Sequence, residues 1–257
     1  MKLNSEINLS LVAFYGDKPE ELVKLINQLQ EHLASHQLIQ DNFVPYQLEQ
    51  VHGTIIGCEG LLTESGIISN WFKKRRQETR SINFSGLTDY LQHQVNFPLN
   101  IRVGGYNRQK NYNFSSRGEH PYFRSGQLQS AGEQTIPIVI GWSWKDQGVS
   151  REIDNLRRNL QKFNLWHKYH DTPEAIDNDF YLRLGTINQK LTSEEKQTIS
   201  IDLCNLLETQ VSLSIPLHVS DLVFVQYQDT MLTPVTTKII PIAEIEKWEA
   251  LQKITVF

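Results

Sequence analysis

Apolar positions along this chain fall into short runs and helical stripes, and the two alternate. Residues 8–15, Asn-Leu-Ser-Leu-Val-Ala-Phe-Tyr, make an apolar run of strand length. Leu22, Leu25, Ile26, Leu29 and Leu33 then share one helical face, with Asp17 as candidate cap, Pro19 in the first turn and Glu20 three residues after Asp17. Residues 48–57 read as a second buried strand. Residues 61–80 read as a helix ending in Lys73, Lys74, Arg75 and Arg76, where the dipole favours cations. A short helix at 86–95 precedes strands at 97–104 and 136–144. Between those strands, 105–134 is rich in Gly, Asn, Ser, Gln and Arg and reads as an irregular excursion or a hairpin, an insertion in the fold.

The second half opens on a stripe of Val149, Ile153, Leu156, Leu160 and Phe163, a helix near 149–165. A polar connection over 166–178 leads to a strand at 180–188. Thr192 and Glu195 form a capping box for a helix over 193–209. Strands are expected at 211–217, 221–228 and 236–242, with Pro216 marking an edge or a break because it cannot donate to a ladder. This order predicts an α+β architecture in two halves, roughly 1–145 and 146–257, within a single domain.

Composition narrows the classes. The chain has 257 residues, 39% hydrophobic and 21% charged, which is ordinary for a globular protein. A net charge of -4 argues against a surface that coats nucleic acid, and leaves room for a local basic cleft. Cys58 and Cys204 sit in apolar contexts without disulfide-framework or zinc spacing. The first residues are polar, and no apolar stretch reaches the roughly 18 residues of a membrane span. A cytoplasmic protein without membrane contact is expected.

One echo carries chemistry. Residues 52–55 read His-Gly-Thr-Ile and residues 184–187 read Leu-Gly-Thr-Ile, each on an expected strand after a helix and a polar connection. Side chains two apart on a strand share a face, so His52 and Thr54 point together. Imidazole can take or give a proton near neutral pH, and a hydroxyl can hold a phosphate oxygen. This arrangement resembles the 2H phosphoesterase superfamily, which includes RNA 2′,3′-cyclic phosphodiesterases. Order and spacing carry the likeness: the opening strand, the helix, His-Gly-Thr, and a final strand at 221–229 some 35–40 residues after the second motif. The resemblance implies two pseudo-symmetric lobes, each an antiparallel sheet with outer helices, around a central cleft. It also implies catalytic roles for His52, Thr54 and Thr186. The second histidine of the family falls on Leu184, which exchanges no proton.

Other residues compete for roles. Arg102, Arg108, Lys110, Arg117 and Arg124 interleave with Tyr106, Tyr112, Phe114, Tyr122 and Phe123, with His120 among them. Basic and aromatic residues together suit phosphate contact and base stacking, so Arg117, His120, Tyr122 and Arg124 are candidate substrate-binding residues. His218 precedes Val219 and Ser220 as a rival His-x-Ser. Arg183 and Tyr181 alternate to the face opposite Leu184 and would need a bulge to reach a cleft on that residue's side. His167 and His170 have helical metal spacing but no evident further ligands, so no metal and no cofactor is expected. Three functions follow. One is a phosphoesterase acting on a cyclic nucleotide, a cyclic phosphate or an RNA end with one motif histidine. Another is a non-catalytic RNA- or nucleotide-binding protein on the same scaffold. The last is an interaction module anchored by some of its five tryptophans.

Overall fold

The computed structural model describes residues 5–210 and 212–256. The opening run forms β1 (Ser5–Ile7) and β2 (Leu9–Ala13), the latter buried along its whole length. Helix α1 (Glu20–Ser35) buries the whole predicted stripe. Its cap position is held by Pro19, not Asp17, and Glu20 and Glu21 meet the positive end of the dipole instead. Strand β3 (Phe43–Pro45) and a 3₁₀ turn at Leu48–Gln50 lead into β4 (Gly53–Gly57), so the strand expected over 48–57 is shorter at its start.

Residues 61–80 do not form one helix. They form a hairpin, β5 (Gly60–Thr63) and β6 (Gly66–Ser69), and then the short helix α2 (Asn70–Arg76). Gly66 adopts φ 126°, a conformation that favours glycine. Thr63 Oγ1 closes the turn by donating to the Gly66 carbonyl (2.7 Å). Ser69 then caps α2 by accepting from the Phe72 amide. The four cations do end a helix, as expected, but a helix of two turns.

The remaining elements keep the expected order but add short ones, and the helix expected near 149–165 starts only after Val149, which pairs in a strand. They are α3 (Phe84–His93), β7 (Leu99–Gly104), α4 (Pro121–Ser125), β8 (Gly126–Ala131) and β9 (Gln134–Lys145). Then come β10 (Gly148–Val149), α5 (Glu152–Asn159), β11 (Asp179–Arg183), β12 (Gly185–Ile187) and α6 (Ser193–Gln210). The chain closes with β13 (Ser212–Leu217), β14 (Leu222–Tyr227), β15 (Thr237–Pro241) and an unanticipated helix, α7 (Ile245–Val256). The capping box before α6 forms: Glu195 accepts from the Thr192 amide (2.8 Å) and the Thr192 hydroxyl accepts from the Glu195 amide (3.2 Å).

The protein is an α+β fold of antiparallel sheets. A four-stranded sheet runs β15-β14-β2-β4, and a three-stranded sheet runs β1-β5-β6. The largest sheet runs β13-β7-β9-β12-β3, with β8, β10 and β11 also pairing the long strand β9. Pro216 lies on β13 at the edge of that sheet, where a missing donor costs least. The segment 105–134 is not an external loop throughout: its last part makes α4 and β8, and β8 forms a hairpin with β9. Tyr106 and Tyr122 from this segment are buried in a second apolar cluster with Trp142. Among the described residues, no helix is long and apolar enough to cross a membrane.

Candidate functional site

Two sheets meet at bare edges. Strand β4 ends the four-stranded sheet, and β11 pairs on one side only, with β9. Their unpaired carbonyls face a buried guanidinium. Arg157, from α5, donates to Ile55 O (2.8 Å) and Thr54 O (2.9 Å) on β4, and to Asp179 O (3.0 Å) and Asp177 O (2.9 Å) beside β11. Buried carbonyls need donors, and here one planar side chain supplies them to both sheets. The ring of Phe180 fills the same seam, lying where a Cβ on Gly53 would be. Glycine between His52 and Thr54 is therefore required by the close approach of β11.

Beside this seam lies a cleft of about 510 Å³. One wall carries His52, Thr54 and Gly57 from β4 and its approach. The opposite wall carries Tyr181 and Arg183 from β11. Arg117, Arg124, Lys168, Tyr169, Trp71 and Trp166 complete much of the lining. Arg157 links Thr54 to Asp179 and Ile55 to Asp177, and Arg183 acts electrostatically on His52, so β4 and β11 run antiparallel across the cleft.

His52 is half-buried, and its Nδ1 lies 2.6 Å from the Gln50 carbonyl. A carbonyl only accepts, so Nδ1 carries the proton and Nε2 the lone pair when the ring is neutral. Burial holds the ring's pKa down at about 4, with the cations of Arg183 and Lys18 adding to the effect. His52 can thus accept a proton at neutral pH but holds none in reserve to donate. Thr54, beside it, is exposed.

The far wall is charged and largely internally paired. Asp179 accepts from Arg124 Nη2 (2.9 Å), the Trp142 indole (2.7 Å) and the Ser116 hydroxyl. Arg124 also bonds the Tyr181 hydroxyl. Burial, with the charge of Asp179, pushes that phenol well above its ordinary pKa. Arg117 lies 3.6 Å from Asp179 and 3.7 Å from Asp177. Asp177 also pairs with His167 Nε2 at 2.8 Å. Burial, and then the charge of Arg157, bring the pKa of His167 to about 4. Arg183 differs. Its Nη1 donates to the Thr230 carbonyl (3.2 Å), and among the described residues no carboxylate lies within ion-pair distance of it.

The sequence-predicted residues divide. His52, Thr54, Arg117 and Arg124 line the cleft. Thr186 does not. It is buried on β12, near Tyr46 Oη (3.4 Å) and Met231 Sδ (3.9 Å). Leu184 is fully buried in the main core, its carbonyl accepting from Gln30 and from the Tyr46 amide. The echo of His-Gly-Thr-Ile therefore does not set a second motif facing the first. The cleft instead takes the other face of β11, so Tyr181 and Arg183 reach it without a bulge. His120 caps α4, its Nε2 bonded to the Lys110 carbonyl (2.8 Å), and Tyr122 is buried with its hydroxyl on Asn205. Neither lines the cleft, because the aromatic residues of this segment pack onto the sheet. His218 is exposed at the cap of a 3₁₀ turn, outside the cleft.

His167 and His170 lie in the polar connection expected over 166–178 but are buried, each against a carboxylate, Asp177 and Asp154 respectively, both at 2.8 Å. Among the described residues, no group of three or more His, Cys, Asp or Glu side chains is arranged to hold a metal. Arg157, Lys168, Tyr169, Trp71 and Trp166 were not expected in the site. Only the indole and guanidinium types hinted at them, since their convergence depends on how two sheets and two loops meet. No family model matches the chain, and no curated protein matches it.

Proposed function

We propose that the cleft binds a phosphate-bearing ligand of the nucleotide, cyclic-phosphate or RNA-end type, on a two-lobed scaffold like that of the 2H phosphoesterases. The observation that carries this reading is the pairing of His52 and Thr54, across the cleft, with Arg183, a guanidinium with no carboxylate at ion-pair distance among the described residues. The Thr54 hydroxyl and the Arg183 guanidinium are donors suited to the oxygens of one phosphoryl group, and the Nε2 lone pair of His52 stands beside them as a proton acceptor. The two sheets flanking the cleft favour the lobed description. Buried, free Cys58 and Cys204 fit a reducing cytoplasmic setting.

Catalysis in this reading is incomplete. His52 can serve as a general base through Nε2, but the position of the family's second histidine is core leucine, and the Tyr181 phenol is a weak acid. Lacking a general acid typically costs about 10²–10⁴ in rate. We therefore read the protein as a binder first. Slow phosphodiester hydrolysis with His52 as the only proton acceptor is the second reading, favoured by the free lone pair at Nε2.

Equilibrium binding of 2′,3′-cyclic nucleotides and cyclic-phosphate-ended RNA, with product analysis of the same samples, tests both. Binding should weaken roughly 10- to 150-fold in Arg183→Ala, the range for losing a charged hydrogen bond. Turnover, where detected, should vanish in His52→Ala. Binding that is absent, or indifferent to Arg183, would contradict the proposal.

A further inference from the structure

The cleft has two chemically different ends. His52 and Arg183 stand at one, and Gly57 lies five residue steps along β4, roughly 16 Å away at strand rise. That second end is aromatic. The Asn70 amide bonds the Glu59 carbonyl (2.9 Å), which brings the start of α2, and so Trp71, next to Glu59 on the cleft wall. Arg76 lies 5.2 Å from the ring centroid of Trp166, which joins the 166–169 segment to the same wall.

These rings are not core residues. Trp142 and Trp248 are buried, whereas Trp71 and Trp166 are only half-buried and Tyr169 exposes 37% of its surface. Cations cover them: Lys74 over Trp71 at 5.0 Å, and Arg117 over Tyr169 at 4.3 Å. Lys73, Lys74 and Arg76 are exposed on α2, and of its four basic residues only Arg75 pairs with a carboxylate, Asp171, among the described residues.

We infer that Trp71, Trp166 and Tyr169 form a stacking platform for nucleobases, so that the preferred ligand is a short single-stranded oligonucleotide whose terminal phosphate sits at His52 and Arg183. This rests on the phosphate-binding reading above. Aromatic faces flanked by cations suit a strand that alternates flat bases with anionic phosphates. The length of the cleft adds the second constraint. A nucleoside monophosphate is too short to reach both ends, and a chain of two or three nucleotides is not.

The test titrates the full chain with inorganic phosphate, a nucleoside 3′-monophosphate and a trinucleotide bearing a terminal 3′-phosphate. The trinucleotide should bind tightest. Trp71→Ala and Trp166→Ala should each weaken it roughly 5- to 150-fold, and leave inorganic phosphate unchanged. In the unaltered protein the trinucleotide should quench tryptophan emission and inorganic phosphate should not, a readout independent of whether the variants fold. A trinucleotide no tighter than the monophosphate, or bound without quenching, overturns the platform while leaving the phosphate site standing. Failure of all three probes to bind overturns the phosphate site itself.

Discussion

Leu184 and Arg183 stand next to each other in sequence and on opposite sides of a sheet. One is sealed in the core, and the other reaches the cleft. A period of two decides this, and the sequence states the period but not which face meets the cleft. His52 and Thr54 were legible because a shared face is a local property. Thr186 was chosen by matching the letters of its motif, and it lies buried on β12 outside the lining of the cleft. Leu184→His should therefore restore nothing. It buries an imidazole among apolar side chains and should cost about 2–5 kcal/mol in urea unfolding. Tyr181→His is the substitution that sets a second imidazole on the cleft wall; gain of cyclic-phosphate hydrolysis there, and none with Leu184→His, is the expected pattern. Gly53→Ala forces a methyl group into the Phe180 ring. It should destabilise the fold by about 1–3 kcal/mol, and a neutral result in the same unfolding assay would argue against so tight a seam.

At the level of elements, α1 stands where its apolar stripe sets it, and α6 where the capping box of Thr192 and Glu195 starts it. The hairpin β5–β6 was hidden inside a stretch with too many apolar residues for either period to dominate, and its signal was Gly66, whose positive φ makes the turn. Arg157 was invisible for a different reason. Its helix shows an apolar stripe with a cation beside it, and nothing local says that two sheet edges will offer it four carbonyls. Removing it strands those acceptors and takes one of the cations away from Asp177. Arg157→Ala should lower unfolding stability by about 3–5 kcal/mol, and Arg157→Lys should recover little because one ammonium cannot span the fork. A change below about 1 kcal/mol would mean that the seam is held by Phe180 alone.

Across the whole molecule, burial of His52 and His167 links folding to pH. Both folded rings titrate at about 4, against an ordinary value of 6.5. Between those limits the unfolded chain binds protons that the folded chain does not. Stability should hold at neutral pH and be lost progressively as pH falls from about 6.5 towards about 4. Asp177, held low despite burial by its bond to His167 and the charge of Arg157, extends the loss into still more acid solution. Urea midpoints that stay flat across this window would contradict the burial of both rings. Binding of a 2′,3′-cyclic phosphate, which carries no second ionisation in this range, should by contrast change little between about pH 6 and pH 8, since neither imidazole titrates there.

The central claim is that a phosphate occupies the end of the cleft flanked by His52, Thr54 and Arg183. Chemical-shift mapping of isotope-labelled protein during titration with a phosphate-ended trinucleotide addresses it most directly. The account predicts saturable shifts at the Thr54 amide, the His52 ring and the Arg183 guanidinium, with further shifts at the Trp71 and Trp166 indoles. Shifts confined to the exposed lysines of α2, or none at saturating ligand, would contradict it.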